Sequence, residues 1–129
     1  MFDFNKDVET RDKLIFGYYD EEKYMGGARY FKSVSTETIK KLMELNYLDP
    51  NESQNDSPTA GEMIEFAERY GDYEFGGYVI ALKRSDYRVN LTTISKSQPV
   101  DREEELAFIK RFRFADEFDV DGELYAWYD

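Results

Sequence analysis

The sequence of 129 residues contains no histidine and no cysteine. Without histidine there is no imidazole to act as a general base, and without cysteine there is no thiol nucleophile, disulfide framework or Cys/His zinc site. The longest uninterrupted aliphatic run is residues 79–82, whereas a helix that crosses a bilayer needs about 20 apolar residues. These absences exclude several classes of enzyme. The lack of cysteine also fits a reducing compartment, so we expect a cytoplasmic protein.

Positive charge is scarce as well. The chain has 17 Lys and Arg residues against 28 Asp and Glu residues, which gives a formal net charge of −11. Such a charge repels nucleic-acid phosphates and anionic lipid head groups. We therefore expect neither direct nucleic-acid binding nor membrane association. The partner that charge favours is a protein with a basic surface.

Aromatic residues are abundant instead, since ten Phe, eleven Tyr and one Trp make up 17% of the chain. Charged residues make up 35%, as in many disordered segments, but disordered segments are poor in large rings. The length predicts one domain over residues 1–129, with an aromatic-rich core. Residues 50–58 form the only loop of low hydrophobicity, and we predict that this loop is flexible.

The N-terminal segment fits two kinds of structure. Residues 13–19 and 24–31 are rich in aromatic side chains and flank a polar turn at residues 20–23, which predicts a β-hairpin. The apolar residues of the same segment also fit one face of a helix. They are Val8, Leu14, Ile15, Tyr18 and Tyr19. A helix therefore remains open here as the alternative.

Three helix starts follow from capping residues that precede an apolar stripe. They are predicted at Ser35 or Thr36, at Thr59 and at Asp101. Thr59 has Glu62 three residues later, which is the pattern of a capping box.

Three strands are predicted over residues 75–83, 87–95 and 123–128, the last of them after an Asp121-Gly122 turn. The predicted fold class is therefore α+β, a single compact domain with an antiparallel sheet and about three helices. The approximate order is ββ-α-α-β-β-α-β, in which the first two strands are the N-terminal hairpin, for which a helix is the alternative.

Two Gly-Gly pairs, at positions 26–27 and 76–77, each precede a segment with aromatic residues. Neither pair fits the pattern of a phosphate-binding loop. Paired glycines within strands mark bulges or places where a large side chain lies across the backbone. We therefore expect a Tyr or Phe ring over each pair.

Glu117, Asp119 and Asp121 precede Gly122 with the spacing of the first half of a calcium-binding loop. Carboxylates at alternate positions can converge on a hard cation, so these three residues are weak metal candidates. However, position 12 of such a loop would be Tyr128 instead of Glu, and a strand follows where an EF-hand has a helix. We therefore predict a solvated turn, no metal and no cofactor. A divalent-metal-dependent hydrolase that uses Asp and Glu carboxylates is the alternative function.

The C-terminal stretch, residues 116–129, carries six acidic residues and no basic residue. On a strand, Tyr125 and Trp127 lie on one face and Leu124, Ala126 and Tyr128 on the other. One face must belong to the core, and if the second face is exposed, its large rings within an acidic rim form a docking surface. If a helix covers that face, Trp127 belongs to the core, and this is our expectation for Trp127.

The sequence thus favours a non-catalytic interaction domain that binds a basic protein surface. Such a domain acts as a regulatory accessory protein or, more narrowly, as a mimic of DNA phosphate. The candidate partner-binding residues are Asp119, Asp121, Glu123, Tyr125 and Trp127. No catalytic residue is assigned.

Overall fold

The computed structural model describes residues 2–54 and 56–129. In these ranges it contains four α-helices, a short 3-10 helix (Glu21–Lys23) and five β-strands. The α-helices are α1 (Val8–Phe16), α2 (Thr36–Glu44), α3 (Ala60–Tyr70) and α4 (Arg102–Phe112), and the strands are β1 (Ala28–Ser35), β2 (Glu74–Ile80), β3 (Val89–Ser97), β4 (Glu117–Asp119) and β5 (Glu123–Trp127). Within the same ranges, no helix has the length and apolar character needed to cross a membrane.

The five strands form one antiparallel sheet in the order β1-β2-β3-β5-β4. All four helices contribute side chains to a single hydrophobic core against this sheet. Phe108 of α4 is fully buried, and its ring lies 4.7–6.1 Å from the rings of Phe66, Tyr73, Phe112 and Phe118. The predictions of one α+β domain and of an aromatic-rich core are therefore confirmed.

The predicted helix starts are confirmed by their hydrogen bonds. The side chain of Ser35 accepts a backbone N–H from the first turn of α2. Thr59 and Glu62 form the reciprocal capping box at the start of α3, with bonds of 3.1 and 2.9 Å. Asp101 accepts the backbone N–H of Glu104 at 2.8 Å. Short polar side chains before an apolar stripe therefore determine where α2, α3 and α4 begin.

The predicted N-terminal hairpin is wrong, and the helical alternative is right for Val8, Leu14 and Ile15 but not for Tyr18 and Tyr19, which follow the end of the helix. Residues 8–16 form α1, which begins where Asp7 accepts the backbone N–H of Thr10 at 3.2 Å and ends at Gly17, whose φ is 86°. The strand that follows, β1, pairs with β2 instead of with the preceding segment. The aromatic pattern fits a helix and a strand equally well, so the caps and the long-range pairing decide the outcome.

A strand that the sequence did not predict, β4, pairs with β5. It is only three residues long, which is too short for an alternating pattern to be recognised. The predicted Asp121-Gly122 turn lies between the two strands, where the Asp119 carboxylate accepts the backbone N–H of Asp121 at 3.0 Å.

The two glycine pairs have different environments. Gly76 and Gly77 lie within β2, at an irregularity in its pairing with β3, and the ring of Phe31 lies against Gly77. Gly26 and Gly27 precede β1 with positive φ, and the side chain of Arg84 lies against Gly27. The predicted aromatic ring is therefore found at the second pair, and the prediction is wrong for the first.

Residues 50–58 lie between α2 and α3, and one of them, Asn55, is outside the described residues. The Gln54 side chain accepts a hydrogen bond from the Asn90 amide at 2.6 Å, and Glu52 lies 3.4 Å from the Arg88 guanidinium. These contacts join the loop to the start of β3. The flexibility of the loop stays a prediction.

Candidate functional site

The sheet face that points away from the helices carries two rows of residues, which run across β4, β5, β3 and β2. Strand pairing places the members of each row side by side. The rows are Asp119–Tyr125–Ser95–Glu74 and Glu117–Trp127–Thr93–Gly76. Side chains at paired positions are about 5 Å apart, so each aromatic ring has a carboxylate as a direct neighbour. We call these two rows, together with Glu123 of β5, the acidic aromatic face.

The two faces of β5 differ in burial. Leu124 and Ala126 are fully buried in the core that α4 helps to form, whereas Tyr125 and Trp127 are half-buried. The expectation that Trp127 belongs to the core is therefore wrong. It fails because the helices pack on the opposite side of the strand.

The electrostatic character of the face is uniform. Its four carboxylates are exposed, and none of its residues is basic. Lys96 of β3 points to the helix side, where its Nζ lies 2.8 Å from Glu104. Burial raises the pKa of Tyr125, and the carboxylates of Glu117 and Glu123 raise it further. A phenol beside uncompensated negative charge behaves in this way.

Four of the five predicted partner-binding residues meet on this face. They are Asp119, Glu123, Tyr125 and Trp127. The fifth, Asp121, lies in the turn between β4 and β5. Glu74 joins the face from β2, and no local pattern indicates this because its pairing with Ser95 is long-range.

The three weak metal candidates lie in β4 and in the turn that follows it. Across residues 2–54 and 56–129, no group of three or more acidic side chains has an arrangement that could hold a metal ion. Glu117, Asp119 and Asp121 therefore do not form such a group.

A second feature, which no sequence pattern indicates, lies at the other end of the sheet. A cavity of about 680 Å³ is bounded by α1, the Gly26-Gly27 turn and the loop after β2. Beside it is a cluster that joins Arg11, Asp12 and Tyr24. Arg11 is 1% exposed and donates to Asp12 at 2.8 Å and to the Tyr24 hydroxyl at 2.6 Å, and that hydroxyl donates to Asp12. Burial and the hydrogen bond to Asp12 raise the pKa of Tyr24 well above its ordinary value.

No protein-family model, no curated protein and no solved structure matches this chain. The acidic aromatic face and the cavity are therefore interpreted from their own geometry.

Proposed function

We propose that this protein is a non-catalytic cytoplasmic interaction domain whose acidic aromatic face binds a basic protein surface. The observation that supports this proposal is the position of Tyr125 and Trp127, half-buried between exposed carboxylates, on the face of β5 opposite the core. A net charge of −11 favours the approach of a basic partner from a distance.

The face suits arginine side chains in particular. A guanidinium can stack on an aromatic ring while its N–H groups donate to a neighbouring carboxylate. The paired positions Glu117–Trp127 and Asp119–Tyr125 offer that combination twice. Tyr, Trp and Arg are also the residues that contribute most to binding at protein interfaces.

The same charges oppose direct binding to nucleic acid, because phosphate contacts require Lys and Arg. We expect no gel shift of duplex DNA at micromolar protein and about 100 mM salt. The narrower hypothesis of DNA mimicry adds that duplex DNA competes with this protein for its partner. A shifted band with DNA alone would contradict the narrower hypothesis.

An octa-arginine peptide is a suitable probe, because Trp127 is the only Trp and its emission reports binding at the face. We expect a saturable emission change that neutralising Glu117→Gln, Asp119→Asn and Glu123→Gln together weakens at least about tenfold. The matched control neutralises three exposed carboxylates on helices: Glu9→Gln, Glu37→Gln and Glu65→Gln. At 0.15 M salt the control should weaken binding less than about threefold, because charges beyond about 8 Å are screened.

Two results would contradict the proposal. Equal weakening by the two triple variants would show that the peptide responds to net charge alone. An unchanged Trp127 emission at saturating peptide would place binding elsewhere on the surface.

The metal-dependent alternative is tested by thermal unfolding with Mg²⁺ or Mn²⁺ and after exhaustive EDTA treatment. An interaction domain should be indifferent to these ions. A fall of more than about 5 °C after EDTA corresponds to roughly 1 kcal/mol for a domain of this size and would favour the hydrolase.

A further inference from the structure

The C-terminal end of α4 carries the densest cluster of positive charge in this acidic chain. Lys110, Arg111 and Arg113 lie within four consecutive residues, and no stretch of five residues elsewhere contains three basic residues. The helix dipole favours cations at this end of a helix. It does not explain the residue that follows them, Phe114, which is 83% exposed and is the most exposed large hydrophobic side chain among the described residues.

Two of these three cations are available to a partner. Arg111 is paired with Glu62 at 2.8 Å. Lys110 and Arg113 are exposed and form no ion pair with the described residues. The Arg113 guanidinium lies 4.8 Å from the centre of the Phe114 ring, so the charge and the ring form one unit at the surface. We call Lys110, Arg113 and Phe114 the basic aromatic end of α4.

This end of α4 adjoins the acidic aromatic face. Phe114 precedes Glu117 by three residues, so their Cα atoms are at most about 11 Å apart. Glu117 pairs with Trp127 in β4, which is an edge strand of the sheet. Arg113 and Glu117 form no ion pair with each other within the chain. The two surfaces are therefore neighbours of opposite charge that do not neutralise each other.

Neighbouring surfaces of opposite charge are self-complementary in a symmetric dimer. A two-fold axis that passes between them places the basic aromatic end of each copy on the acidic aromatic face of the other, which gives two identical contacts. In each contact, Arg113 of one copy can stack on Trp127 of the second copy and donate to its Glu117. A ring beside a carboxylate is the combination that suits a guanidinium.

We propose that the acidic aromatic face binds a second copy of this chain through the basic aromatic end of α4. This inference rests on the proposed function, because it names the occupant of the same face. Each copy carries a net charge of −11, so long-range repulsion opposes the contact, and two small contacts make a weak dimer. We expect a dissociation constant on the order of 100 μM at 0.15 M salt.

Sedimentation equilibrium of the intact protein measures the self-association. At 0.15 M salt, the protein should be monomeric at about 10 μM and mostly dimeric at about 1 mM. Excess octa-arginine should return the dimer to monomer, because the peptide occupies the same face.

Charge reversal identifies the contact. Arg113→Glu alone and Glu117→Arg alone each place like charges opposite each other, so each should weaken self-association at least about tenfold. An equimolar mixture of the two variants restores opposite charges at both contacts and should associate within about threefold of the parent protein. The matched control, Lys32→Glu, makes the same charge change as Arg113→Glu on β1, at the opposite edge of the sheet, and should weaken association less than about threefold. All three positions are exposed, so the fold should be preserved.

The inference is overturned if the protein remains monomeric at about 1 mM, or if the mixed variants associate no better than each variant alone. Equal weakening by Arg113→Glu and Lys32→Glu would also overturn it, because association would then follow net charge only. A dimer that excess octa-arginine leaves intact would place the contact elsewhere on the surface, with the same consequence.

The octa-arginine titration separates this inference from the proposed function. A monomeric protein whose Trp127 emission still responds to the peptide overturns the second copy as the occupant and leaves the proposed function standing. Loss of that emission response in the parent protein contradicts the proposed function itself.

Discussion

The two faces of the sheet differ in what packs against them, and β5 shows the difference within five residues. On one face, Leu124 and Ala126 are fully buried beside Phe108 of α4. On the other, Tyr125 and Trp127 are half-buried among carboxylates. Large rings are therefore structural on the helix side and available for contact on the open side. Residue type alone does not distinguish the two roles.

The largest expected effect comes from removing a ring on each face. Phe108→Ala should lower the free energy of unfolding by about 3–5 kcal/mol, because it leaves a cavity between four other rings. Trp127→Ala removes a half-buried ring and should cost only about 1–2 kcal/mol. Urea denaturation measures both values. Equal costs would show that the two faces are packed alike.

Alanine at the two adjacent glycines of β2 gives a smaller contrast. A Cβ at Gly77 would overlap the backbone carbonyl oxygen of Asn90 and would lie 3.0 Å from the ring of Phe31, whereas a Cβ at Gly76 meets its nearest atoms at 3.3 Å. Gly77→Ala should cost about 1–3 kcal/mol and Gly76→Ala less. Chemical denaturation of the two variants tests this order. A larger cost for Gly76→Ala than for Gly77→Ala would mean that the backbone of β2 shifts to accommodate a Cβ at Gly77.

Removing one carboxylate charge from each side should reveal the same asymmetry. Glu104, 5% exposed, accepts from the Tyr73 hydroxyl and from Lys96 Nζ, each at 2.8 Å. Glu104→Gln should cost about 1–3 kcal/mol, since it leaves the Lys96 charge buried without its partner. Asp119→Asn and Glu123→Gln on the acidic aromatic face should each change stability by less than about 0.5 kcal/mol. These costs are measured as shifts of the denaturation midpoint relative to the parent protein, with the m-value unchanged. A cost above about 1 kcal/mol for Glu123→Gln would contradict the expectation that this carboxylate is solvated.

The effect that is smallest at neutral pH, where it is zero, is the titration of Tyr128. Burial raises the pKa of Tyr128, at the end of the chain, from 10.0 to about 12. Because the raised value belongs to the folded state, the contribution of the neutral phenol to stability is complete below pH 10. It is lost as the pH rises from about 10 to about 12. Stability measured across that interval should fall less in Tyr128→Phe than in the parent protein. An identical fall in both would show that Tyr128 is not responsible.

Local rules were sufficient for the elements whose determinants are close in sequence. Thr59 and Glu62 are three residues apart, and the capping box they form needs no tertiary contact. Residues 8–16 show where such rules were insufficient, because their apolar positions fit both a strand and a helix. The helix is consistent with Asp7 at its start and with a long-range hydrogen bond from Arg11 to Ile80.

The acidic aromatic face was likewise predictable from the sequence only in part. The alternation of β5 placed Tyr125 and Trp127 on one face from sequence alone, and the acidic residues around them were visible as composition. Which face α4 would cover was not visible, since that depends on how the chain returns over the sheet after β3. The prediction for Trp127 failed for this reason.

The sequence by itself determined an acidic, histidine-free and cysteine-free chain, its helix starts at Ser35, Thr59 and Asp101, and the two-sided character of its last strand. Caps, turns and alternation act over a few residues, so they can be recognised without the fold. The tertiary structure alone decided that Glu74 joins the acidic aromatic face and that Arg11 and Lys83 line one cavity. Those residues are brought together by strand pairing across tens of residues, and no local pattern encodes such a pairing.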